Sequence, residues 1–254
     1  MIYVLEDQGG REYMEDRHII EQAFFLTYDL YAIFDGHGND SVAKYVQLYF
    51  KDILRNELFQ EAHIPKAMNN AFKKMSDLIP KDLGFMAGST ALVVLENPNE
   101  SYIANIGDCR GLINKYDQAL QVTIDHKPNL PSELERITAA GGFVANDPMG
   151  TPRVNGNLAL SRAFGDFYLS PSVIAVPDIY YYKLHPENSY TFIASDGVYD
   201  AVQNHEIVTI INQEKLIPNK DIKFAIRDAS RKILLLARSR NSQDNITIII
   251  RTRN

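Results

Sequence analysis

Apolar runs rich in β-branched and aromatic residues repeatedly stop on an aspartate in this chain. YAIFD ends at Asp35, YIANIGD at Asp108 and TFIASD at Asp196, while QDNITIII sets out from Asp244. Runs of this composition and length read as strands. In an antiparallel sheet one strand finishes beside the point where its neighbour starts. The pattern therefore predicts acidic side chains converging on one edge. Glu15 and Asp16 of YMED, and Asp200 four residues past Asp196, lie within reach of the same rim. Asp-Gly, as at Asp35-Gly36 and Asp196-Gly197, is also an ordinary turn dipeptide, so no single position decides the matter. Together they do, because like carboxylates crowded within a few ångströms repel one another unless cations neutralise them.

Other strand-like runs are IYVLE, FFLTYDLYAIF, STALVVLE, SYIANI, GLINK, LQVTI, SYTFIAS and NITIIIRT. Between them, Val42, Ala43, Val46, Phe50, Ile53 and Leu54 recur at helical spacing, with Asp40 or Ser41 as a candidate cap. Ile64, Ala67, Met68, Ala71, Phe72, Met75 and Leu78 form a second such stripe. A third helix is expected from Ser132, whose spacing to Glu135 suits a capping box, and it should end before Gly141 and Gly142. Two late helices near 205–215 and 221–238 precede the last strand. Helices thus arrive in pairs after hairpin-like stretches, which favours α+β, an antiparallel sheet covered by helices, over a doubly wound parallel sheet. Without repeats or linkers, one domain over residues 1–254 is expected, with a flap insertion around 165–185 in a loop-rich stretch.

Twenty-six Lys and Arg against 32 Asp and Glu give a net charge of -6, the wrong sign for gripping nucleic-acid phosphates. The one cysteine, Cys109, provides neither a disulfide framework nor a thiolate zinc site, and it suits a reducing compartment. No basic leader precedes an apolar stretch and no run is long enough to cross a bilayer, so neither a membrane nor a nucleic acid is an expected partner. A soluble cytoplasmic chain is the expectation, with the nucleus left open.

Carboxylate-rich, thiolate-free donors suit hard ions such as Mg2+ and Mn2+. Two ions sharing Asp35 would make a binuclear centre, which typically holds its metals roughly 3.5–4 Å apart and turns a bridging water into hydroxide for attack on a phosphate ester. Arg11, four residues before Glu15, is placed to offer a planar fork to the phosphate. A serine or threonine alkoxide departs badly without a proton, and His37, two residues from Asp35, is the candidate acid.

These residues resemble the metal-dependent (PPM) protein phosphatases, the protein phosphatase 2C family, over almost the whole length. The matching pieces stand in the family's order: GGREYMED at 9–16, FDGHG at 34–38, GSTA at 88–91, IGDCRG at 106–111 and DHKP at 125–128. RITAAGG at 136–142, RVNGNLALSRAFGD at 153–166, ASDGVYD at 194–200 and DNITIII at 244–250 complete the set. The resemblance implies a four-layer α-β-β-α sandwich, two antiparallel sheets flanked by helices, with the metal site at one end. It implies that Asp35 bridges two Mn2+ or Mg2+ ions, with Glu15 and the Gly36 carbonyl completing one site and Asp196 and Asp244 the other. Asp108 would hold a third ion with Asp196, assisted by Asp200. Asp16 and Asn245 would stand behind the ligands. Arg11 would clamp the phosphate of a phosphoserine or phosphothreonine protein, His37 would protonate the leaving oxygen, and water would attack phosphorus with no phosphoenzyme. A monomer with no regulatory module is expected.

Departures from the family pattern lie away from these positions. Asn39 stands where a second glycine is common, Tyr199 where Trp is frequent, and Leu169 where many members carry Lys, which bears on substrate approach rather than on metal chemistry. A dead binding scaffold would have lost one of Glu15, Asp35, Asp196 or Asp244, and none is lost. Cysteine-based phosphatases need an Arg six positions after the Cys, where this chain has Lys115. Calcineurin-like enzymes mix His with Asp as metal ligands, unlike the carboxylate-rich set here, and a nuclease would need a basic groove.

Overall fold

The structure, a computed structural model, describes residues 1–116 and 118–253. The chain runs through β1 (Ile2–Asp7), β2 (Arg17–Phe25), β3 (Tyr28–Phe34) and the short β4 (Gly36–His37) into the paired helices α1 (Ser41–Gln60) and α2 (Ile64–Leu78). It continues with β5 (Gly88–Ser89), β6 (Ala91–Glu96), β7 (Glu100–Ile106), β8 (Arg110–Lys115) and β9 (Gln118–Gln121). Then come α3 (Pro131–Ala139), the hairpin of β10 (Val144–Asn146) and β11 (Pro152–Val154), β12 (Phe164–Gly165) and β13 (Asp178–Lys183). The last elements are β14 (Tyr190–Ala194), α4 (Asp196–Tyr199), α5 (Asn204–Lys215), α6 (Ile222–Ser239) and β15 (Ile246–Thr252).

One five-stranded sheet has the order β13-β7-β6-β3-β2 and a second the order β1-β15-β14-β8-β9, with every neighbouring pair antiparallel. Period-two alternation turns these strands into layers. Leu30, Ala32 and Phe34 of β3 pack with Val46, Phe50, Met68 and Phe72 of α1 and α2. Their neighbours Tyr31 and Ile33 point the other way and meet Ile193 of β14 and Ile249 of β15. Ile246, Ile248 and Ile250 then face Ile207, Ile211, Ile226 and Ile233 of α5 and α6. Three apolar interfaces therefore separate four layers, α-β-β-α. Both faces of each central strand are covered, so these strands read as continuous apolar runs. Among the described residues no helix is long and apolar enough to cross a membrane.

Helix positions follow the apolar spacing, but two caps do not. The Asp40 carboxylate makes no capping bond to α1; Arg17 and Lys44 hold it at 2.6 and 3.4 Å. Pro131, which has no N–H to donate, takes the first turn of α3 with Leu130 at the cap position. Ser132 thus falls inside the helix and forms no capping box. LQVTI contributes only Leu120 and Gln121 to β9. Of the stretch 165–185 expected as a flap, 178–183 is β13, an edge strand registered against β7 from Asp178↔Asn105 to Lys183↔Glu100. Alternation in DIYYYK explains it: Tyr180 and Tyr182 pack on the inter-sheet core while Ile179 packs on the helix side.

At the end of the sandwich where β6 finishes, Glu96 is fully buried and well matched. It accepts hydrogen bonds from Tyr31 Oη at 2.8 Å and Thr191 Oγ1 at 2.7 Å, and it pairs with Arg251 at 2.8 Å and Arg253 at 2.9 Å. Removing one partner of such a cluster leaves buried charge uncompensated, which costs about 3–5 kcal/mol. Glu96→Ala is therefore expected to lower the urea midpoint steeply while the variant that does fold keeps its catalytic rate, since Glu96 lies a strand's length from the acidic edge. Urea unfolding with a parallel activity assay checks both halves.

Candidate metal centre

The register places the predicted acids on one edge. Arg17, directly after Asp16, pairs with Phe34, directly before Asp35, and Ile33 pairs with Leu92. Ile106, two residues before Asp108, pairs with Ala91. In the second sheet Ala194 pairs with Ile248, so Asp196 and Asp244 open onto the same end. A cavity of about 330 Å³ lies there. Arg11, Glu15, Asp35, Gly36, His37, Asp108, Asp196, Asp200 and Asp244 all line it. Asp16 and Asn245 do not, and stand behind it.

Backbone and hydroxyl contacts hold these groups. Thr90 clamps Asp35 from both sides: Asp35 N–H donates to Thr90 Oγ1 at 3.0 Å, and Thr90 N–H donates to the Asp35 carbonyl at 2.9 Å. Asn245 Oδ1 accepts from Glu15 N–H at 2.7 Å, while its Nδ2 donates to the carbonyls of Gln8 and Tyr13 at 2.8 and 3.0 Å. The loop carrying Arg11 and Glu15 is thereby folded around one side chain. Glu15 also runs so close to Gly36 that a Cβ there would stand 2.7 Å from the Glu15 carbonyl oxygen, which only glycine avoids. Asp16 is 1% exposed. Its Oδ2 accepts from Ser195 Oγ at 2.8 Å and Thr247 Oγ1 at 2.7 Å, and its Oδ1 has no donor among the described residues.

Crowding shows in the acidities. Burial, then the charges of Asp16, Asp196, Asp108 and Asp244, push the Asp35 carboxyl well above the ordinary range. Burial and the neighbouring Asp108, Asp200 and Asp244 do the same to Asp196, with Lys127 opposing. Asp16 is pushed up to about 6 by burial, with the Thr247 and Ser195 hydroxyls working against it. Burial also raises Glu15 and Asp200.

Two protein cations offset part of the charge. Arg11 Nη2 lies 2.7 Å from Asp244 Oδ2, and Lys127 Nζ pairs with Asp108. Burial works to lower the Lys127 ammonium, but Asp108, Asp196 and Asp200 overcome it and hold it above an ordinary lysine. With Asp244 and Asp108 turned to these partners, no three described His, Cys, Asp or Glu side chains are grouped as a finished ion cage. The donor set nonetheless fits hard divalent ions: it is made of oxygen only, it carries more negative charge than Arg11 and Lys127 offset, and it includes the orphaned Asp16 Oδ1.

Thr90, Ser195, Thr247, Lys127 and Asp166 belong to this site and were not singled out from sequence. All five sit in the quoted motifs, GSTA, ASDGVYD, DNITIII, DHKP and RVNGNLALSRAFGD, so the signal is in view but their roles depend on contacts between distant segments. From the flap side, the lining comes from Thr151, Arg153 and Leu158 to Leu160, not from 165–185.

The family model described as Protein phosphatase 2C matches residues 3–246. A rice relative, "Probable protein phosphatase 2C 44", is 34% identical over 98% of this chain and 76% of its own length. "Protein phosphatase 2C 1" of Paramecium tetraurelia is 32% identical over 96% of this chain and 89% of its own. Among solved structures, a C. elegans sex determining protein superposes with a TM-score of 0.90 at 21% identity, covering 100% of this chain and 65% of that one. The serine-threonine phosphatase 2C from Toxoplasma gondii superposes at 0.80 with 21% identity, covering 98% and 93%. At those identities the superpositions show the shared fold.

The raised carboxyl pKa values set a sign for stability against pH. An acid whose folded pKa lies above its unfolded value binds more protons when folded, so stability falls as pH rises between the two values. For Asp16 the window runs from 3.8 to about 6 and is worth roughly 3 kcal/mol. In EDTA the chain is expected to melt several degrees higher near pH 5 than near pH 7.5, and Mn2+ at pH 7.5 should recover the difference. Calorimetric melts across that range check it; a flat profile would leave the acids uncrowded.

Proposed function

We propose a division of labour for this site from one premise: the chain belongs to the protein phosphatase 2C family and is a metal-dependent serine/threonine protein phosphatase. Phosphoproteins are the substrate class expected of such an enzyme. Asp35 would be shared by two Mn2+ or Mg2+ ions, with Glu15 and the Gly36 carbonyl on one side and Asp196 and Asp244 on the other. Asp108, with Asp196 and Asp200, would serve a third. When bound, such ions would neutralise the carboxylates and would make a water held beside them a better nucleophile at neutral pH.

The chain's own residues do the rest. Arg11, half-exposed on a loop anchored by Asn245, swings its guanidinium from Asp244 to the phosphoryl oxygens once Asp244 is otherwise neutralised. Asp16, held by two hydroxyls, turns its unpartnered Oδ1 toward the attacking water and accepts a hydrogen bond from it. His37, on the cavity wall, gives a proton to the departing serine or threonine oxygen. Water rather than a side chain attacks phosphorus, because the only thiol, Cys109, is fully buried and burial, together with the nearby Asp35, pushes its pKa up. Residues 1–254 would act as one catalytic unit and as a monomer.

The observation that carries this reading is the gathering of oxygen donors from both sheets around one cavity, with the Asp35 and Asp196 carboxyls pushed up by burial and by the neighbouring carboxylates. Asp196→Asn separates charge from shape. It is expected to cut Mn2+-dependent phosphate release from a phosphothreonine peptide by at least about a hundredfold and, in EDTA, to raise the melting temperature. Retained turnover would remove Asp196 from the site.

A further inference from the structure

The strands β4, β5 and β12 form a small sheet of their own beside the cavity, in the order β12-β5-β4. His37 of β4 pairs with Gly88 of β5, and Gly88 pairs on its other side with Gly165 of β12, next to Asp166. Outer strands of such a sheet lie roughly 9–10 Å apart, and a side chain on the middle strand would normally fill the gap above it. Gly88 leaves it empty. His37 Nε2 and Asp166 Oδ2 meet there at 2.7 Å, and a Cβ on Gly88 would overlap both atoms.

Asp166 is built for this place. It is 2% exposed, and its backbone sits in the left-handed region at φ 48°, which Asp tolerates better than most residues. Its N–H donates to the Ala87 carbonyl at 3.0 Å, and its carbonyl accepts from Leu169 N–H at 2.8 Å. The carboxylate is thus aimed by backbone bonds on both sides. Nδ1 of His37 has no hydrogen-bond partner among the described residues, and the ring borders the cavity.

We propose that Asp166 is the positioning residue for His37, acting across the gap left by Gly88; this rests on the reading of His37 as the acid. The Asp166 carboxylate accepts the Nε2–H and fixes the ring, so that Nδ1 presents its proton to the leaving group. In the step it serves, the water oxygen bonds to phosphorus and gives up a proton to solvent as the ester P–O bond breaks. The departing oxygen takes the Nδ1 proton, and solvent returns one to the ring. A phosphothreonine ester needs that proton badly. A p-nitrophenyl ester, whose leaving group is stable as an anion, scarcely needs it.

The two substrates therefore separate aim from architecture. Asp166→Asn is expected to lower kcat on a phosphothreonine peptide by about 10–100-fold with little change in KM, and on p-nitrophenyl phosphate by less than about threefold. Gly88→Ala, which drives the pair apart while keeping both residues, should give the same selective loss. Asp166→Asn combined with His37→Gln should be no worse than His37→Gln alone. Nitrogen-15 NMR of the imidazoles should report a proton held on Nε2 of His37 in the native chain whether or not Nδ1 carries one, and a mixture of tautomers in Asp166→Asn, a readout that needs no turnover. Equal losses on both substrates in Asp166→Asn, beside a selective loss in His37→Gln, would overturn the role of Asp166 and leave His37 as the acid. Equal losses in His37→Gln would overturn both.

Discussion

Repulsion between carboxylates brought to one edge is the constraint on which the rest of this structure depends. The contrast between the two ends of the sandwich makes it plain. Where β6 finishes, Glu96 and Asp29 meet two arginines and two hydroxyls, and the charges balance. Where β6 begins, Asp16, Asp35, Asp108, Asp196, Asp200 and Asp244 face one another with Arg11 and Lys127 as the cations paired among them. A folded chain tolerates such an excess only if something outside the chain makes it up, and function is a reason for a fold to keep a destabilised edge.

The covered faces of the two sheets are what make that edge possible. Apolar packing on both sides of β3, β6, β14 and β15 pins their register, and a one-residue slip would turn each inward side chain outward. Register in turn determines where Asp35, Asp196 and Asp244 stand. Loops add the adjustable parts. Arg11 and Glu15 ride on a loop gathered by Asn245, and His37 rides on a three-stranded patch whose middle glycine opens a passage to Asp166.

Much of this was legible in the sequence for physical reasons. Aspartates directly after apolar runs mark strand ends, and antiparallel pairing brings strand ends together, so the acids that line the cavity could be named before any coordinates. Paired helices at apolar spacing of three and four were equally plain. What escaped was non-local. Asp108 lies 19 residues from Lys127 and His37 lies 129 from Asp166, and nothing in either stretch announces the partner. Ser132 looked like a cap because its spacing to Glu135 is right, but the preceding proline starts the helix earlier. DIYYYK reads as part of the flap because prolines flank it, although its own alternation belongs to a strand.

The central claim is that Asp35 is shared between ions gathered by acids from both sheets. Counting Mn2+ by equilibrium dialysis, on the native chain and on Asp35→Asn, tests it most directly. At least two ions per native chain and fewer than one in the variant are expected; a native chain holding less than one ion, or a variant holding as many as the native, would show that Asp35 is not shared.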